Sequence, residues 1–112
     1  MKRQISSVVL LSGATTTQSG QRHTAWDAKL TFQAVGRTTS GSGAAAVDIQ
    51  VSNVTNPTQD SHWLTAMTIS LTLGSATDAG DGQEFDAKWR YVRARVASIS
   101  GTGASVDVYM GG

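Results

Sequence analysis

The sequence predicts an all-β protein, an antiparallel β-sandwich of the jelly-roll kind, on three observations. Apolar and polar side chains alternate cleanly in several stretches, as where Ala28, Leu30, Phe32 and Ala34 interleave with Lys29, Thr31 and Gln33. That is the period of a strand with one buried face. Serine and threonine together number 27 and glycine 12, against a single proline, Pro57, which suits strands joined by polar turns. No stretch carries a 3.6-residue apolar stripe, so the strands must bury their apolar faces against a second sheet.

Taken in order, the short apolar run Ile5 to Leu11 opens the chain, and Ser12 to Gln21 (SGATTTQSGQ) reads as a polar loop with nothing to bury. Residues 1–21 are therefore expected to form an N-terminal strand and flexible arm, and residues 22–112 the sandwich, within one domain overall. The alternation from Ala28 to Ala34 ends at a turn signal, Gly36, and the run GRTTSGSG extends a polar loop over residues 36–46. Val47, Ile49 and Val51 alternate with Asp48, Gln50 and Ser52 in the next strand, and NVTNPTQD supplies a proline-containing turn. Met67, Ile69, Leu71 and Leu73 mark a third strand, followed by SATDAGDGQE, an acidic, glycine-rich loop.

The last 24 residues, WRYVRARVASISGTGASVDVYMGG, read as a hairpin. A three-residue loop of Gly101, Thr102 and Gly103 pairs Ser100 with Ala104, Val96 with Val108 and Ala94 with Met110 on one face, and Arg95 with Tyr109 on the other. A two-residue loop sets Val96 against Tyr109 and breaks the apolar match. The same parity puts Trp89, Tyr91, Arg93 and Arg95 on the face away from Val92, Ala94 and Val96. Trp, Tyr and Arg are enriched in protein interfaces, because each buries a large area while keeping a polar tip. Trp89, Tyr91, Arg93, Arg95 and Tyr109 are thus the expected partner-binding residues. Alanine at Tyr91, Arg93 and Arg95 together is expected to weaken docking and spare the fold. The competing structural reading puts Trp89 and Tyr91 inside after a bulge and pairs the arginines with Asp107 or another carboxylate. A sugar-binding reading also uses exposed aromatics, with Trp26 and Trp63 contributing.

Composition narrows the function further. Nine Lys and Arg against eight Asp and Glu leave a net charge of +1, far from the basic excess of a protein that neutralises many phosphates. No nucleic-acid partner is expected. With no cysteine, thiolate metal sites and disulfides are excluded. Val8 to Leu11, behind Lys2 and Arg3, is too short an apolar run for a signal peptide or a membrane span. A soluble protein without export signal or membrane partner is expected.

Catalytic patterns are thin. His23 and His62 are the only histidines and share no metal-ligand spacing. Asp60, Ser61 and His62 have the residue types of a hydrolytic triad, but adjacent residues point to different sides. Asp78, Asp81, Glu84 and Asp86 offer oxygen ligands without a calcium-loop pattern. Asn53-Val54-Thr55 matches a glycosylation acceptor, which carries little weight without a secretion signal. No enzyme activity, metal or cofactor is expected.

Three pieces of the C-terminal segment, W-R-Y-V-R-A at Trp89 to Ala94, S-G-T-G-A at Ser100 to Ala104 and V-x-V-Y at Val106 to Tyr109, resemble the ending of small virion proteins of tailed bacteriophages. The resemblance covers about a fifth of the chain. In length and predicted fold the chain is also similar to the small cement or decoration proteins of short-tailed, epsilon15-like phages. The resemblance implies a non-enzymatic jelly-roll clamp on the outer capsid surface. It would be a homo-oligomer, dimer or trimer, made in the host bacterial cytoplasm, with the major capsid protein as partner. It carries over no contact residue. A virion glycan-binding adhesion module and a small tail or neck joining protein are the alternatives.

Overall fold

The structure, a computed structural model, describes residues 7–24 and 28–111, with the side chains of Ser7, Ala28, Phe85, Asp86 and Ala87 set aside. Trp26 lies outside the described residues. The described residues lay down nine strands: β1 (Ser7–Ala14), β2 (Gln18–Ser19), β3 (His23–Thr24), β4 (Ala28–Arg37), β5 (Ser40–Ser52), β6 (Leu64–Leu73), β7 (Ala79–Ala87), β8 (Tyr91–Thr102) and β9 (Ser105–Gly111). A 3-10 turn, Asp60–His62, sits between β5 and β6. No described helix is long and apolar enough to cross a membrane.

These strands form two antiparallel sheets, one ordered β1-β9-β4-β7 and the other β2-β8-β5-β6, with β3 also on β8. The Cα envelope, 42 × 39 × 18 Å, is the slab expected of two sheets stacked about 10 Å apart. The period-2 alternation decides what fills the gap. Phe32 and Ala34 of β4 and Val106, Val108 and Met110 of β9 meet Val47, Ile49 and Val51 of β5, Ile69, Leu71 and Leu73 of β6, and Val92, Ala94 and Val96 of β8, all buried. Each fully buried Val, Leu, Ile or Phe contributes about 1.5–3 kcal/mol relative to exposure. The all-β sandwich predicted from the sequence is the observed fold.

Several local expectations are corrected. The final two strands are not a hairpin: β8 pairs with β5, β2 and β3, and β9 with β1 and β4, in the opposite sheet. Val96 and Val108 therefore come from opposing sheets of the core. Gly101 (φ 117°) and Gly103 (φ 63°) turn the chain from one sheet to the other, in a region open to glycine and strained for other residues. A Cβ at Gly103 would lie 2.2 Å from Thr39 Oγ1.

Residues 7–21, expected as a strand and polar arm apart from the sandwich, are built into it. β1 pairs with β9 and buries Leu10, Leu11 and Ala14, with register shifts on either side of Leu11. β2 then joins β8, with Gly20 N–H donating to Ala94 O at 2.8 Å. The expected loop over residues 36–46 is mostly strand, and Gly36 lies inside β4 rather than at a turn. Thr38, fully buried, donates its hydroxyl to Gly41 O at 2.6 Å and closes the short β4–β5 connection. The acidic stretch is strand from Ala79 onward, paired with β4 from Gly36–Ala79 to Ala28–Ala87. Its glycines and carboxylates suit a sheet edge, where charge discourages further strand pairing.

Candidate docking surface

β8 alternates as its sequence predicts. Val92, Ala94 and Val96 are fully buried, and Tyr91, Arg93 and Arg95 project from the other face of the sheet. Their directly paired neighbours on β5 are Ser52, Gln50 and Asp48. On the edge side, Thr24 pairs with Tyr91 and Ser19 with Arg95.

What covers this face is the connection from Asn53 to Trp63, which folds back across it. Arg93 donates Nε–H to Gln50 Oε1 at 2.8 Å and Nη2–H to Asp60 Oδ1 at 3.1 Å, and its guanidinium lies 4.6 Å from the centre of the Trp63 ring. Arg95 shares the same carboxylate, reaching Asp60 Oδ2 at 3.4 Å, and donates to Ser19 Oγ at 3.2 Å. One aspartate thus ties two arginines to the loop. Asp60 presents it from the 3-10 turn, where His62 N–H donates to Gln59 O and Trp63 N–H to Asp60 O. Pro57 and Trp63 are buried.

Arg93 is consequently 8% exposed, part of an internal polar cluster rather than a free docking residue. Replacing it by alanine would disturb the fold, which corrects the expectation that the triple alanine variant leaves the fold intact. Asp107 is not the arginines' partner: it accepts the amide of Gly13 across the first sheet. Tyr91 stays half-buried, with its hydroxyl donating to Thr55 O at 3.3 Å and Arg22 stacked 4.8 Å over its ring. Arg22 is exposed and also donates to Asn56 Oδ1 at 2.9 Å. Trp89 is half-buried and packs on the edge of the core.

Tyr109 is elsewhere. It projects from the outer face of the first sheet, paired with Gln33 on β4 and with Val9 on β1, which is 52% exposed. The five expected binding residues therefore fall into four settings: Tyr91 and Arg95, partly exposed beside Arg22; Arg93, buried; Trp89, half-buried at the edge of the core; and Tyr109, on the opposite sheet. Gln50 and Arg22 were not singled out from the sequence as site residues, and Asp60 was considered there only among the residue types of a hydrolytic triad. A signal for Asp60 exists, since it is the only acidic residue between Asp48 and Asp78 and follows the single proline.

The other sequence candidates are also placed. Asp60 and His62 turn to different partners, His62 Nδ1 accepting the amides of Thr58 and Gln59. Asp78 pairs with Arg37 at 3.3 Å and Glu84 with Lys29 at 3.8 Å, while the side chain of Asp86 is outside the described set. Among the described residues no three His, Asp or Glu side chains gather as metal ligands. An open pocket of about 490 Å³ lies beside the covering connection, between Trp89, Leu64 and the 52–54 bend. Comparison with protein-family models, with curated proteins and with solved structures finds no match to this chain.

Proposed function

We propose that this protein is a non-enzymatic bacteriophage virion component that binds the outer capsid surface and clamps neighbouring major capsid protein subunits. One observation carries the reading: the aromatic and cationic side chains suited to docking are divided between the two outer faces of one two-sheet slab. Arg22, Tyr91 and Arg95 lie on one side, and Tyr109 with Val9 on the other. A clamp requires two separated contact surfaces, because each weak contact then raises the effective concentration at the other. The terminal W-R-Y-V-R-A, S-G-T-G-A and V-x-V-Y pieces, which resemble virion proteins, support the same reading.

The strand order supports a jelly roll. Treating β2 and β3 as two halves of one edge strand, the described residues make eight strands in two sheets of four, with β1, β9, β4 and β7 facing the rest. Each step from β3 to β4, β4 to β5, β6 to β7, β7 to β8 and β8 to β9 changes sheet, and that winding suits the doubled Greek key found in viral capsid and lectin domains. A homo-oligomer, dimer or trimer, would multiply the contacts on a repeating lattice.

The test uses capsids that lack the protein. The purified protein should bind at a fixed ratio to the major capsid protein and raise the temperature at which shells rupture. Arg22→Glu, in the β2–β3 connection, and Tyr109→Ala, on the outer face of the opposite sheet, should each lower occupancy while leaving the melting temperature of the free protein unchanged. Absence of binding at micromolar protein overturns the proposal. Loss of binding from one variant alone, with the other neutral, overturns the two-faced clamp.

A further inference from the structure

We propose that the pocket beside the covering connection is a binding site for a neutral saccharide. It is lined by Trp89, Leu64, Val54, Asn53, Ser61 and His62, with Ser52 at its base. Leu64 is 56% and Val54 40% exposed, so apolar surface is held open to solvent around a half-buried indole. None of the lining residues is acidic or carries the fixed charge of Lys or Arg, so the site offers no counter-charge to an ionic ligand.

The polar groups at the pocket are held in defined orientations by the backbone around them. Asn53 Oδ1 accepts the Arg90 amide at 2.8 Å, which leaves the Asn53 NH₂ as a donor. His62 Nδ1 accepts the amides of Thr58 and Gln59 at 3.2 and 3.3 Å. That role puts the ring proton on Nε2, a second donor. Ser52 Oγ accepts the Val54 amide at 3.1 Å and fixes the bend, and the exposed Ser61 hydroxyl can both donate and accept.

A flat aromatic ring, a short aliphatic wall and a few oriented donors form a combination with a specific complement. The ligand needs one apolar face, to lie on the indole and Leu64, and hydroxyl oxygens around its rim, to meet Asn53, Ser61 and His62. A pyranose ring has both: axial C–H groups on its face and hydroxyls on its edge. A purely apolar ligand would cover the donors without pairing them, at a desolvation cost. The pocket is distinct from the Arg22 and Tyr109 patches, so this site does not depend on the capsid reading.

The test is a titration of isotope-labelled full-length protein, in the absence of capsids, with neutral oligosaccharides of glucose, mannose and N-acetylglucosamine. Each is taken to about 10 mM, enough to register millimolar dissociation constants. At least one should give saturable amide shifts at Asn53, Val54, Ser61 and His62 and at the Trp89 indole. Leu64→Arg, at a solvent-exposed position, should fill the pocket and weaken binding by about tenfold or more with the melting temperature unchanged. No shift with any of the sugars overturns the proposal. So do shifts that lie elsewhere or survive Leu64→Arg, and so do shifts that appear with protein concentration alone, which would show the pocket to be a contact between copies. Failure here leaves capsid binding untouched.

Discussion

At the scale of single residues, backbone proximity rather than side-chain chemistry sets the tightest constraints. Gly43 lies against β8 so closely that a Cβ would sit 2.1 Å from Ser100 O. Gly43→Ala should therefore cost about 1–3 kcal/mol, the usual penalty of forcing atoms into a packed site. Gly74→Ala is the control: nothing lies within 4 Å of its added Cβ, and the change should be neutral or stabilise by up to about 1 kcal/mol through the unfolded chain. Urea denaturation of the two variants separates the cases. The arginine cluster gives a second contrast. Arg93→Ala removes the stacking on Trp63 and leaves Gln50 Oε1 without its donor, so about 2–3 kcal/mol should be lost. Asp60→Ala should cost about 1 kcal/mol, because its side chain is 73% exposed and solvent screens the pair. Only the Asp60 effect should shrink markedly in high salt.

At the scale of elements, the change of sheet between β8 and β9 is the feature to test, and a chain without cysteine makes the test clean. Gln33 and Tyr109 are direct partners on adjacent strands, within the Cα separation that a disulfide spans. The double variant Gln33→Cys/Tyr109→Cys should oxidise readily. Arg95→Cys/Tyr109→Cys, which a hairpin would place opposite each other, should stay reduced. Mass spectrometry after mild oxidation reads both, and the reverse result would restore the hairpin. The covering connection is the other element of interest. Its attachment to β8 runs largely through Asp60 and Tyr91, so Asp60→Ala should speed hydrogen exchange at the His62 and Trp63 amides while leaving Val92 and Ala94 protected.

At the scale of the whole molecule, the two ends of the chain complete one sheet. β1 pairs with β9 from Ser7–Gly111 to Ala14–Val106, and β9 pairs on its other side with β4. Deleting residues 1–14 would remove Leu10, Leu11 and Ala14 from the core and bare an edge of β9. Loss of cooperative melting and aggregation on size-exclusion chromatography are the expected outcomes. Pairing between residues so distant in sequence also predicts refolding in milliseconds to seconds, slow for a chain of this size. Stopped-flow tryptophan fluorescence measures it. Faster refolding of the truncated chain to an equally stable state would show that β1 is dispensable.

What the sequence determined by itself was parity. In β4, β5, β6, β8 and β9 the two-residue alternation correctly assigned the core face, because the direction of a side chain on a strand is a local property of the extended backbone. The fold class follows from it. The stretches 40–46 and 79–87 were not legible as strands, since glycine, serine and aspartate give no apolar pattern. Ladder hydrogen bonds and close backbone approach hold them, and both come from neighbours distant in sequence. For the same reason only the tertiary structure decided that β8 and β9 belong to different sheets. Two strands with apolar faces satisfy the same pattern side by side or across a core, and the glycines between them permit either path. That choice moved Tyr109 to the far side of the molecule. The position of Asp60 is likewise a tertiary outcome: it lies 33 residues before Arg93 and on no strand, and only the folded sheet brings its carboxylate between two arginines.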